Sequence, residues 1–174
     1  MPEFDPARSA EQLCYFIANK LRNLKYNVHP PYKWGSSCKV EFYHPWFELK
    51  VEEILREAGV KEPFGRALWS TAGNITVTYS KELDIFRVEG ELPMPLIPDG
   101  FRRCTFPAFH KWYTVLKITE VHPHAYRGHG AVHVHFEGEI LDPTKKEVDR
   151  LFEEMEKFLE NMEGCHLNLM PGED

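Results

Sequence analysis

The sequence predicts an α+β fold, an antiparallel sheet covered on one face by a long amphipathic C-terminal helix, with a second helix at the N-terminus. Three observations predict it. Residues 142–164 carry an apolar stripe at helical spacing, made by Val148, Leu151, Phe152, Met155, Phe158, Leu159 and Met162. Several shorter segments carry the alternation of a half-buried strand or a run of strand formers. Finally, four of these segments follow one another with no helix between them, which favours antiparallel pairing over parallel βαβ units.

The elements follow in order. Leu13, Ile17, Leu21 and Leu24 give residues 7–24 one apolar helical face, and Asp5 followed by Pro6 supplies a cap and a first helical position. Residues 29–37, His-Pro-Pro-Tyr-Lys-Trp-Gly-Ser-Ser, are rich in breakers and read as a connection or an irregular edge. In 38–44, Cys38, Val40 and Phe42 alternate with Lys39, Glu41 and Tyr43, the period of a strand. Val51, Ile54, Leu55 and Ala58 predict a short helix over 47–58, closed by Gly59.

Residues 75–79 and 84–92 read as a hairpin turning at Ser80-Lys81-Glu82, with Phe86, Val88 and Leu92 on one face. The prolines of 93–100 read as a loop that excludes a central strand. Two further strands are expected at 112–121 and 131–140, joined by 122–130. The last helix is expected to open at Asp142-Pro143 and close at Gly164, with Glu153, Glu154, Glu156 and Glu160 on its solvated face. A helix laid across a sheet in this way resembles the helix-grip fold or a ferredoxin-like sandwich.

Composition narrows the class. With 174 residues, 43% hydrophobic and 28% charged, the chain is expected to form a single globular domain rather than a disordered one. A net charge of −6 excludes a uniformly basic nucleic-acid wrapper. No run of 18 apolar residues and no signal peptide is visible, so a soluble, cytoplasmic protein without a membrane partner is expected. Cys14, Cys38, Cys104 and Cys165 form no C-x-x-C pair and read as buried thiols. The P-loop, G-x-G-x-x-G, G-x-S-x-G and H-E-x-x-H patterns are all missing, which removes support for the mechanisms they carry. Cys104, near Arg103 and His110, reads as structural rather than as an activated thiolate.

Chemistry concentrates in one region. Five of the nine histidines, His122, His124, His129, His133 and His135, fall within fourteen residues. On a strand over 131–140, His133, His135, Glu137 and Glu139 share one face while Val132, Val134, Phe136 and Ile140 share the other. A turn near Arg127 brings His122 across from the pair. His122, His133, His135 and Glu137, with Glu120 as a further carboxylate, are thus candidate ligands for a divalent transition metal. The competing reading is a solvated strand face, and a one-residue change of register would put His122 on the wrong side.

Residues 101–130 carry five basic side chains against one acid, a local net of +4 in an acidic chain. Arg102, Arg103, Lys111, Trp112 and Arg127 make a candidate surface for an anionic ligand or single-stranded nucleic acid, since bases interleaved with aromatics suit both. Core aromatics and scattered surface charges are the plainer reading of the same residues.

Two motifs resemble known families. Residues 130–139, Gly-Ala-Val-His-Val-His-Phe-Glu-Gly-Glu, resemble the first half of the cupin metal motif, although a helix follows where the second half would stand. His133-Val134-His135 is similar to the H-hydrophobic-H of the HUH endonucleases. That resemblance implies a metal acting as Lewis acid on DNA phosphate and a tyrosine nucleophile. No tyrosine follows Tyr126, and a permuted order would have to use Tyr15. The leading expectation is a binding domain for an anionic or metal-containing ligand or a macromolecular partner, centred on 101–135. The alternatives are a metal-dependent phosphoryl-transfer enzyme resembling an HUH nuclease, and a non-catalytic structural or interaction subunit with a protein partner.

Overall fold

The computed structural model describes residues 3–24, 26–43, 72–95, 114–126 and 129–168. The helix expected at 47–58, the segment holding Arg102, Arg103, Cys104, His110, Lys111 and Trp112, and the turn residue Arg127 lie outside them. Helix α1 spans Pro6–Asn23. Asp5 Oδ1 accepts from the backbone N–H of Ala7 at 3.1 Å, and Pro6 takes the first turn, where its missing N–H costs no hydrogen bond. The helix buries Ala10, Leu13, Cys14, Ile17, Ala18 and Leu21, one stripe along its length.

The strands are β1 (Asn27–Val28), β2 (Tyr32–Trp34), β3 (Ser37–Tyr43), β4 (Ala72–Ser80), β5 (Ile85–Pro95), β6 (Leu116–Tyr126) and β7 (His129–Leu141), followed by helix α2 (Lys145–Asn168). They form a seven-stranded sheet in the order β1-β3-β4-β5-β7-β6, with β2 also paired to β3. Every pairing is antiparallel, so the described strands contain no parallel unit of the kind a ferredoxin-like sandwich uses. The breaker-rich 29–37 stretch becomes an irregular edge, in which Gly35 takes the left-handed turn at φ +60°.

One face of this sheet and the stripes of both helices make a common core. Cys38, Val40, Phe42, Ile75, Val77, Phe86, Val88, Leu92, Val134, Phe136 and Ile140 are buried against α1 and against Val148, Leu151, Met155, Phe158 and Leu159 of α2. Each large side chain fully removed from water contributes about 1.5–3 kcal/mol. The rings of Phe136 and Phe158 lie 4.7 Å apart, and Phe16 meets Phe152 at 5.4 Å where the helices touch. Lys20 and Glu160 pair at 2.5 Å across the same seam. Among the described residues no helix is long and apolar enough to cross a membrane.

The structure corrects several expectations. β5 continues through Pro93 to Pro95, pairing with β7, where a loop was expected. The prolines are tolerated because β4 stops pairing at Glu91, so among the described residues this end of β5 has a strand on one side only. β5 and β6 are not neighbours, because β7 inserts between them. Helix α2 opens at Thr144 rather than at Asp142-Pro143. The Thr144 hydroxyl accepts from the N–H of Glu147 at 3.3 Å and donates to its carboxylate at 2.9 Å, a reciprocal cap. The helix also runs through Gly164, since one glycine costs only about 1 kcal/mol in a helix and ends it only by turning left-handed.

Two buried groups depart from the sequence reading. Cys14 and Cys38 are not thiols but a disulfide that ties α1 to β3, with Cα atoms 6.1 Å apart. Their pairing across 24 residues is spatial and leaves no mark in local spacing. Glu154 is 2% exposed rather than solvated. Its carboxylate accepts from the backbone N–H groups of Thr114 and Val115 and from the Thr114 hydroxyl, which satisfies the lead-in to β6.

Candidate functional site

The face of the sheet turned away from both helices is polar. Directly opposed residues of antiparallel strands share a face, so the pairings read out as rows across β5, β7 and β6. One row is Glu91, His135, Glu120, the next is Pro93, His133, His122, and on the other side lies Glu89, Glu137, Lys117. Val134 and Phe136, between these positions on β7, are buried at 0% and 2% exposure. The alternation expected for the histidine strand is therefore present from Val134 to Ile140.

His122 owes its position to a bulge. Ile118 opposes Phe136, Thr119 is skipped, and Glu120 opposes His135. A regular ladder from Ile118 onward would set His122 opposite Val132, on the core face. The one extra residue keeps both Leu116 and Val121 in register with core positions of β7 and sets His122 opposite His133 on the outer face. Periodicity on either side of Thr119 is unbroken, which is why the sequence left this register open.

Two side chains of the central row, Glu91 and His135, are held by their neighbours. Glu91 Oε2 lies 3.2 Å from His135 Nε2, and Glu91 Oε1 accepts from Asn74 Nδ2 at 3.0 Å. The side chains of Glu91 and His135 are 25% and 33% exposed, which limits screening of their interaction. Glu137 is engaged one row away, where the Arg87 guanidinium reaches both Glu137 and Glu89 at 3.0 Å. Further along the same face, Tyr32 donates to Glu41 at 2.8 Å. That hydrogen bond, then burial and the carboxylate charge, hold the Tyr32 phenol above its ordinary value.

Among the described residues no three His, Cys, Asp or Glu side chains gather around one point. The described pair is His135 with Glu91. Neither Glu91 nor Asn74 was legible as a site residue, because their proximity to His135 depends on β7 lying beside β5. The available signal was parity, since Arg87, Glu89 and Glu91 alternate with the buried Phe86, Val88 and Leu92.

Tyr15 is exposed, as its position outside the α1 stripe implies. It lies in a groove with Arg8, Gln12, Asn19 and Phe152, between the helices. The sheet stands between it and His135, so the structure does not bring this tyrosine to the histidines. No family model matches the chain, and comparisons with curated proteins and with solved structures return no significant match.

Proposed function

We propose that the chain is a binding module whose outer sheet face holds a divalent transition metal through His122, His133 and His135, presenting it to an anionic ligand. The observation that carries this reading is the bulged β6–β7 register, which pairs His122 with His133 and sets His135 two residues along the same face. Neutral imidazoles suit zinc, nickel and copper. Carboxylates flank the row in Glu91 and Glu120, and the Asn74–Glu91–His135 chain is the kind of outer-shell support that orients a ligating imidazole. A metal ion there gives an otherwise carboxylate-rich face a positive centre on which an anion can coordinate.

The test is metal content and calorimetric titration of the untagged protein with zinc, manganese and nickel. About one equivalent is expected, lost in His133→Ala/His135→Ala with the circular dichroism spectrum unchanged. Weak binding that survives in the double variant overturns the proposal.

A further inference from the structure

We infer that Cys38 is a site of reversible S-thiolation, reached by a zwitterionic peptide thiol through a cavity at the N-terminal end of α1. The cavity has a volume of about 350 Å³, within the roughly 300–1,000 Å³ range of small-molecule sites. Its wall includes Cys38 and Val77 of the sheet, Ser36 and Tyr79 as hydroxyl groups, and charged side chains from α1 and β2.

The two sulfurs of the disulfide are not equivalent. Cys38 lines the cavity and retains 4% exposure, whereas Cys14 is absent from its wall and is fully buried in the α1 stripe. Exchange requires a thiolate to approach one sulfur and expel the other. Access therefore selects Cys38 as the sulfur attacked and Cys14 as the sulfur released. The step balances without an external oxidant. The incoming thiolate forms a bond to Cys38 Sγ, the Cys14–Cys38 bond breaks, and its electron pair leaves on Cys14 Sγ, which takes a proton from solvent.

The wall also indicates which thiol fits. Arg8 and Lys33 bring two cations, and Asp5 and Glu11 two carboxylates, with Lys33 and Glu11 paired at 2.5 Å. A lining of both signs complements a ligand that carries ammonium and carboxylate groups together, as peptide thiols of the glutathione class do. The consequence of the modification is loss of the covalent tie between α1 and β3, the two elements that the disulfide joins.

The test uses the full oxidised chain, with Cys104 and Cys165 first capped by N-ethylmaleimide. Incubation with reduced and oxidised glutathione under native conditions, followed by acid quench and peptide mapping, is expected to find glutathione on Cys38 and a free thiol at Cys14. An adduct on Cys14, or none before a denaturant concentration that unfolds the protein, overturns the inference. Arg8→Ala/Lys33→Ala is expected to slow glutathione relative to 2-mercaptoethanol about threefold, the scale of an exposed ion pair. An unchanged ratio overturns the assignment of a zwitterionic thiol.

Discussion

Asp142 donates its backbone N–H to the carbonyl oxygen of Asp84 at 3.0 Å, and both residues hold left-handed backbone, with φ of 50° and 51°. The contact closes the end of the β5–β7 ladder just beyond the pair Ile85 and Leu141. Aspartate tolerates this conformation far better than a β-branched residue does. Asp142→Val is accordingly expected to cost about 1–2 kcal/mol, and Asp142→Asn to stay within about 0.5 kcal/mol, as read from urea midpoints. Equal midpoints for the two variants would show that the turn carries no conformational demand.

Glu154 supplies the only side-chain acceptor described for the N–H groups of Thr114 and Val115. Glu154→Ala leaves those donors without it and is expected to lower stability by about 2–3 kcal/mol, the scale of a hydrogen bond to a buried charged group. Glu154→Gln keeps an acceptor oxygen and should lose less. Thermal melts of the two variants rank them, and an alanine variant as stable as the parent refutes the role.

Gly90 and Gly138 both lie where strands meet, with different neighbours. A Cβ at Gly90 would come within 2.3 Å of the Asn74 carbonyl oxygen and 2.9 Å of Ile75 Cα, both backbone atoms. At Gly138 the nearest atoms are methyl groups of Leu116, Val88 and Leu151 at 3.1–3.3 Å. Because a backbone yields less than a side chain, Gly90→Ala is expected to cost about 1–3 kcal/mol. Gly138→Ala should cost no more than about 1 kcal/mol. Denaturant unfolding distinguishes them, and the reverse order would contradict this packing.

Tyr79 donates its hydroxyl to Asp84 Oδ1 at 2.5 Å. That hydrogen bond, then burial and the charge of Asp84, raise its phenol above the ordinary 10.0. A raised value in the folded state means that the proton is held more tightly there than in the unfolded chain. The stability it contributes is therefore complete below pH 10 and is lost as pH climbs through the folded value. A phenolate absorbance titration should show one late-ionising tyrosine fewer in Tyr79→Phe, and an identical curve would count against the bond.

The elements legible in the sequence were those set by burial within a short window. The stripes of α1 and α2, and the alternation of Cys38, Val40, Phe42 and of Val134, Phe136, Ile140, follow from the need to hide one side of each element. What could not be read depends on partners far along the chain. Glu154 looks like any surface glutamate until its backbone partners some 40 residues away are known. Glu91 becomes a neighbour of His135 only because β7 displaces β6 from the side of β5. At Thr119 a single skipped residue decides the face on which His122 stands.

The two-sided character of β7 also bears on how such a chain can change over generations. Folding constrains Val134, Phe136 and Ile140, which sit in the core, while the intervening His135, Glu137 and Glu139 project from the opposite side. Structural integrity thus rests on alternate letters of one short stretch, and the letters between them set the polar chemistry of the outer face. Substitutions at the outward letters leave the core contacts in place, so the chemistry of this face can change by single steps without a detour through unfolded intermediates.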